Sequence, residues 1–173
     1  MSSTSSSASH QAGDERSTIQ GFLEHHREVL RGRCRGLTPE QLDTPFPPSS
    51  MTLGGMLKHL AFVENWWSAV VLRGAEPGEP WASVDWAADE DWDWHSAADD
   101  SPEELWALYE AAVVDADRIY VTADLDDLAE RANRRTGERC NVRWILMHLV
   151  EEYARHNGHA DLIRESIDGT VGD

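Results

Sequence analysis

The stretch that decides the fold is RWILMHLVEEYARHNGHADLIRE, residues 143–165. Its apolar residues recur every three or four positions, which is the pattern of an amphipathic helix. The same stretch places His148, Glu152, His156 and His159 at spacings of four, four and three residues. On an α-helix these four side chains fall within about 80° of arc. Imidazole and carboxylate groups on one narrow face are what a divalent metal needs, so this helix is a candidate half of a metal site.

A second helical pattern upstream supplies a further candidate ligand, His59. It lies in LKHLAFVENWW, residues 57–67, inside an apolar pattern that runs from about residue 52 to residue 73. On a helical wheel His59 lies about 40° from Val63, so it borders the core-facing side of the helix. A triad of His59, Glu152 and His156 would leave at least one coordination position open, as catalytic zinc sites do.

The residues alone leave two alternatives open. A single histidine on an apolar helix face is commonly a core residue with a hydrogen-bond partner and no metal. His148 and His159 also compete with Glu152 and His156 on geometry. They could instead be outer groups that orient Glu152 or a bound ligand.

Four long helical patterns make an all-α four-helix bundle the economical fold. They span about residues 15–35, 52–73, 102–121 and 141–167. The third begins with Ser101, Pro102 and Glu104, which together form a capping box with proline at the first helical position. Thr52 and Asn141 are candidate caps of the second and fourth helices.

The connector between the second and third helices, residues 75–100, is unusually long and contains four of the eight tryptophans. Indole side chains are too large and apolar to be left in water, so we expect this segment to lie back over the bundle. We expect the acidic residues between the tryptophans to be solvated.

Composition narrows the class of function. The chain has 173 residues and a net charge of −17, which argues against nucleic acid and anionic membrane surfaces as partners, so we expect neither. Residues 1–14 are expected to form a flexible Ser-rich tail without the apolar region of a signal peptide, and residues 15–173 a single domain. No apolar run is long enough to span a membrane. Cys34 and Cys140 form no paired motif, and we expect free thiols in the cytoplasm.

The motifs LGGMLKHLAFVENWW, residues 53–67, and RWILMHLVEEYARHNGHADLIRE carry a resemblance to a known family. Over about residues 15–168 the chain resembles the DinB/YfiT-like superfamily of four-helix metal-binding proteins. It is most similar to the actinobacterial DinB-like branch related to mycothiol-dependent maleylpyruvate isomerase. The resemblance implies an up-down-down-up bundle with a long crossover between helices 2 and 3. It also implies that His59, Glu152 and His156 are the metal ligands.

The activity implied by the resemblance is thiol chemistry. Relatives in this superfamily are metal-dependent transferases or isomerases that use mycothiol, bacillithiol or glutathione. We therefore expect a thiol S-transferase that activates a thiolate at a His/Glu/His site, and a homodimer. Zinc is the default metal for such ligands, with nickel, iron and manganese as alternatives. A non-catalytic metal-binding or stress-associated interaction module is the second hypothesis. A sealed site would favour the module, whereas an open cavity would favour the enzyme.

Overall fold

The computed structural model describes residues 12–133 and 136–172, and within these ranges the chain is all-helical. The α-helices are α1 (Glu15–Cys34), α2 (Pro39–Leu42), α3 (Leu53–Asn65), α4 (Trp92–His95), α5 (Pro102–Tyr120) and α6 (Val142–Asp168). An isolated bridge joins Leu128 to Asn141. Most of the tail predicted for residues 1–14 lies outside the described ranges. The predicted four-helix bundle is confirmed, with α1, α3, α5 and α6 as its long helices.

Polar side chains explain where the four long helices begin. Each cap accepts a hydrogen bond from a backbone N–H in the first turn, which would otherwise have no partner inside the helix. The caps are Asp14, Thr52, Ser101 and Asn141. The predicted capping box at the start of α5 is confirmed. Gly169 ends α6 with a φ of 76°, a left-handed conformation that glycine adopts without steric cost.

Contacts near the helix ends show that α1 and α6 are parallel. Arg143 at the start of α6 donates to Glu15 at the start of α1, with an N···O distance of 2.6 Å. Near the end of α6, Arg164 donates to the carbonyl of Arg33 at 2.8 Å. The starts of the two helices therefore lie together and so do their ends, which means that α1 and α6 run parallel side by side.

The pair α3 and α5 is also parallel and runs opposite to α1. Gly54 at the start of α3 lies against Leu105 at the start of α5. Beyond the far end of α3, Arg73 donates to the carbonyl of Ile119 near the end of α5. The Cys34 thiol, at the end of α1, donates to the Leu53 carbonyl at the start of α3. These contacts confirm the up-down-down-up order.

Helix α3 does not end as a regular α-helix. It continues as a π-helix over Trp66–Leu72, whereas the sequence predicted one α-helix to about residue 73. A π turn contains about one residue more than an α turn, a difference too small for apolar periodicity to reveal over two turns. The widened segment begins with the adjacent tryptophans Trp66 and Trp67, of which Trp67 contacts Trp144 near the start of α6.

The crossover between α3 and α5 covers the bundle, as expected from its tryptophans. Trp81 is only 3% exposed, and Trp86, Trp92 and Trp94 pack against the core. Trp94 can approach α3 closely because residue 55 is glycine: a Cβ there would lie 2.9 Å from the indole ring. Cys34 and Cys140 are both free, as predicted. Among the residues of the two described ranges, no helix is long and apolar enough to cross a membrane.

Candidate metal centre

His59, Glu152 and His156 meet between α3 and α6. One ligand atom from each of the three side chains lies within 4.8 Å of the others. Glu152 and His156 share a face of α6 because they are four residues apart. The imidazole rings of His59 and His156 are 4.9 Å apart between centroids, at an interplanar angle of 65°. The structure thus brings together the three residues selected from the sequence.

A buried carboxylate from the crossover holds His59 in place. The Oδ2 atom of Asp93 lies 2.6 Å from Nδ1 of His59, and Asp93 is only 4% exposed. Because a carboxylate accepts hydrogen bonds, this contact places the imidazole proton on Nδ1 and leaves the Nε2 lone pair for a metal. Trp94 stacks on the same imidazole at 4.6 Å and fixes its plane.

His156 is a buried neutral imidazole. Its pKa is lowered to about 4, mainly by burial and in addition by the nearby His59 and His159. Its buried Nδ1 atom has no hydrogen-bond partner among residues 12–133 and 136–172. Its Nε2 atom is 3.5 Å from Glu152, too far for a good hydrogen bond. A buried imidazole with so little hydrogen bonding is uncommon in folded proteins, and metal coordination would account for it.

The two histidines predicted as outer groups occupy different positions. His148 lies beside Glu152, with its Nε2 atom 3.5 Å from Oε1 of that carboxylate. Its ring contacts those of Trp67, at 4.8 Å, and Trp144, at 5.0 Å, and the two indoles also contact each other. His159 is exposed, and its ring centroid is 6.3 Å from that of His156. Contact with Glu152 favours an orienting role for His148, and the role predicted for His159 stays a prediction.

A large cavity opens beyond His148. Its volume is about 740 Å³, and Trp66, Trp67 and Trp144 form part of its wall. Two of these tryptophans, Trp67 and Trp144, are the ones that contact the His148 ring. The cavity therefore borders the tryptophans that contact His148, although none of the three candidate ligands lines it, and its volume is within the range of about 300–1,000 Å³ that small-molecule sites have.

Comparison with known proteins identifies the family. A family model described as mycothiol-S-transferase matches residues 18–169. The chain belongs to the mycothiol-S-transferase family. The match spans all four long helices of the bundle, and it includes the three candidate ligands.

The fold of this family member also occurs in a solved structure. A conserved protein from Enterococcus faecalis superposes with a TM-score of 0.68 at 18% sequence identity. The match covers 92% of this chain and 100% of that one, and at this identity it shows the fold alone. No curated protein matches the sequence significantly.

The donor set of this family member fits a divalent cation. Two neutral imidazoles and one carboxylate would leave a net charge of about +1 on the site and at least one position for a substrate. Asp93 is the functional residue that sequence reasoning missed, and the expectation that the acidic residues of the crossover are solvated is wrong for it. The available signal was its position between Trp92 and Trp94, because a carboxylate between two packed indoles needs a partner.

Proposed function

We propose that the protein is a metal-dependent S-transferase that joins a low-molecular-weight thiol of the mycothiol type to an electrophile. The observation that carries the proposal is the convergence of His59, Glu152 and His156 at a point that solvent can reach. Family membership supports the class of thiol. The side chains of His59, Glu152 and His156 are 18%, 19% and 11% exposed, and this partial exposure favours catalysis over the metal-binding module, for which a sealed site was expected.

The chemistry requires a thiolate at neutral pH. A bound divalent cation, by default zinc with these ligands, supplies the positive charge that lowers the pKa of a thiol. The thiolate sulfur then forms a carbon–sulfur bond with the electrophile, and the leaving group departs with the bonding electron pair. The chain's contribution is to hold the imidazole and carboxylate groups of the three candidate ligands in place. His148 is partly exposed and contacts Glu152, so it is placed to accept the thiol proton and pass it to solvent.

Two further features belong to the proposal. Low-molecular-weight thiols act in reducing compartments, and the free Cys34 and Cys140 are compatible with one, so we propose a cytoplasmic location. We also propose that the chain forms a homodimer. Large apolar side chains remain exposed on α1 and α6, among them Phe22 at 58% and Met147 at 50%.

The test is a thiol-transfer assay on metal-loaded protein. The protein is incubated with monochlorobimane and, separately, with mycothiol, bacillithiol or glutathione, and formation of the fluorescent thioether is followed. We expect the rate to fall to the uncatalysed value on chelation and to return with zinc or another divalent ion. The variants His59→Ala and His156→Ala should lose both metal and turnover, since two ligands hold the ion poorly.

The matched control is His95→Ala. His95 is an exposed histidine on the crossover whose Nδ1 lies 2.9 Å from Asp89, away from the candidate centre. This variant should keep both metal and rate. If no thiol reacts above the uncatalysed rate while metal is demonstrably bound, the binding-module hypothesis replaces the transferase. A rate that survives verified removal of the metal would exclude the proposed chemistry.

A further inference from the structure

The only lysine of the chain, Lys58, is buried on α3 directly before His59. Its ammonium group makes three contacts with the crossover between α3 and α5. Nζ donates to Oδ2 of Asp100 at 2.5 Å and to the backbone carbonyl of Ser96 at 3.3 Å. It also lies 4.4 Å from the centre of the Trp92 ring, a cation–π distance. Lys58 is therefore a buried cation whose contacts join α3 to one segment of the crossover.

The residue type suits these partners. All the other residues among the fifteen lysines and arginines of the chain are arginines. An ammonium group is compact and directs three N–H donors away from one point, whereas a guanidinium group is planar and larger. A carboxylate, a carbonyl and an aromatic face are arranged around Nζ of Lys58, and their number matches its three donors.

Helix α4, which carries Trp92, is too short to set its own orientation. It has four residues, and the side chain of its N-cap residue, Asp91, makes no capping hydrogen bond. Packed indoles keep the crossover on the bundle, but apolar burial is non-directional, whereas a hydrogen bond to a charged group has a narrow range of distances. Lys58 contacts both ends of α4, because Trp92 is its first residue and Ser96 follows its last.

The same helical turn carries the groups that fix His59. Asp93 directly follows Trp92 and lies 2.6 Å from Nδ1 of His59, and Trp94 stacks on that ring at 4.6 Å. Two neighbours on α3, Lys58 and His59, thus contact three consecutive residues of α4. If α4 moved away by about 1 Å, the distance between Asp93 and His59 would grow to about 3.6 Å, too long for a hydrogen bond.

We propose that Lys58 is a positioning residue of the candidate metal centre. Its ammonium group holds α4 against α3, so that Asp93 stays in contact with His59. The imidazole proton then stays on Nδ1, and the Nε2 lone pair faces the metal position. Lys58 acts through Asp93 and not on the ion itself. This inference rests on the metal centre of the proposed function, and its test does not depend on turnover.

The variant Lys58→Met tests the inference, because it removes the ammonium group and keeps an unbranched side chain. Competition with a chromophoric chelator should show a loss of zinc affinity of about threefold to tenfold. This loss is smaller than the one typical of removing the orienting group, about 10–100-fold, because the Asp93 carboxylate is still present. The second readout is the ¹⁵N spectrum of metal-free protein at about pH 8.5, where an ordinary histidine is neutral. His59, assigned by its absence in His59→Ala, should change from the Nδ1–H form to a mixture of tautomers.

A double-mutant cycle with Asp93→Ala separates positioning from a general loss of stability. Because Lys58 acts through Asp93, adding Lys58→Met to Asp93→Ala should change zinc affinity by less than about twofold. If Lys58→Met lowers zinc affinity by the same factor in both backgrounds, Lys58 acts independently of Asp93 and the inference is overturned.

The matched control is Arg31→Met. Arg31 is also a buried cation, 8% exposed, with a carboxylate partner, Glu110, at 2.8 Å and an aromatic ring, Tyr109, at 5.6 Å. Its contacts join α1 to α5, so this variant should lose stability but keep zinc affinity and the His59 tautomer. A loss of zinc affinity equal to that of Lys58→Met would overturn the inference, because any buried cation would then have the same effect.

A milder variant covers the case in which Lys58→Met does not fold. Asp100→Asn removes the charge of one partner and keeps an oxygen acceptor, at a side chain that is 28% exposed. It should change zinc affinity and the His59 tautomer in the same direction but less. Unchanged values of both quantities in folded Lys58→Met, or in Asp100→Asn where only that variant folds, would overturn the inference. If the unmodified protein binds no zinc, the proposed function fails, and the tautomer measurement alone decides whether Lys58 positions His59.

Discussion

Replacing Asp93 with alanine tests how the protein orients its candidate ligands. The Asp93 carboxylate is 4% exposed and lies 2.6 Å from Nδ1 of His59, so it fixes both the tautomer and the rotation of that ring. In Asp93→Ala the imidazole of His59 can carry its proton on either nitrogen, and the ring can rotate about its bond to Cβ. Trp94 still stacks on the ring, which limits its tilt but does not select the tautomer.

The expected size of the effect follows from this contact. Loss of a group that orients a metal-bound histidine typically costs about 10–100-fold in metal affinity. This corresponds to about 1.4–2.8 kcal/mol of binding free energy. Asp93→Asn should show a smaller loss, because the amide oxygen can still accept a hydrogen bond from Nδ1 although the negative charge is gone. The fold should survive both changes, since the crossover is also held by its packed tryptophans.

The assay is a competition for zinc between metal-free protein and a chromophoric chelator of known affinity, with circular dichroism as the folding check. Asp89→Ala is the matched control, because Asp89 makes the same kind of contact with His95, at 2.9 Å, on the same crossover. That variant should bind zinc normally. The reasoning is refuted if Asp93→Ala binds zinc within about twofold of the unmodified protein while His59→Ala does not bind it.

Three further predictions follow from the buried groups and the exposed surface. In metal-free protein the pKa of His156 is lowered from 6.5 to about 4, so between these pH values the unfolded chain binds a proton that the folded chain does not. The free energy of unfolding should therefore fall as the pH is lowered from 6.5 to about 4, by at most about 1.4 kcal/mol per pH unit. Urea unfolding should show a shallower slope in His156→Ala. Arg27→Ala leaves the fully buried Glu64 without its cation and should cost about 3–5 kcal/mol in thermal or urea unfolding, whereas Arg118→Ala, at an exposed ion pair, should cost less than about 1 kcal/mol. Sedimentation at micromolar concentration should show a dimer, whose interface should bury more than about 1,000 Å², and a monomer alone would contradict the proposed assembly.

The bundle could be predicted from the sequence because its signals are local and agree with one another. Thr52, Ser101 and Asn141 each combine a capping side chain with the start of an apolar stripe, and all three caps are present. The π-helical end of α3 could not be predicted, because it changes the helical period only slightly over a short segment. The importance of Gly55 could not be predicted either, because it depends on contact with the indole of Trp94, about 40 residues further along the chain.

The candidate ligands could be selected from the sequence because helical spacing fixes which side chains share a face. Spacing and family resemblance selected His59, Glu152 and His156, but spacing could not separate the role of His148 from that of Glu152. The contact between Asp93 and His59 depends on how an irregular segment folds back, and no periodicity describes such a segment. The cavity was missed for the same reason, because its polar side is the connector between α5 and α6.

A buried polar network holds α6 in register with α3. Tyr153 directly follows the ligand Glu152, and its hydroxyl donates to Oε1 of Glu64 at 2.9 Å. Arg27 donates to the same oxygen at 2.8 Å, and Glu64 is fully buried. Burial raises the pKa of Glu64, while the Arg27 guanidinium opposes that shift. Sliding α6 by one turn, about 5.4 Å, would remove Tyr153 from a buried carboxylate that depends on its hydrogen bonds.

The second ligand of α6 has a similar anchor. Asn157 directly follows His156, and its side-chain amide donates to the backbone carbonyl of His26 on α1 at 2.9 Å. Each candidate ligand on α6 is therefore followed by a residue that joins this helix to a neighbouring helix through a hydrogen bond, buried for Tyr153 and partly buried for Asn157. The spacing of at most 4.8 Å between the ligand atoms and those of His59 is consequently set by helix register and needs no metal to create it. If a metal binds at this preformed site, we expect its removal to leave the fold intact, unlike removal from zinc sites that supply the folding energy of their domain.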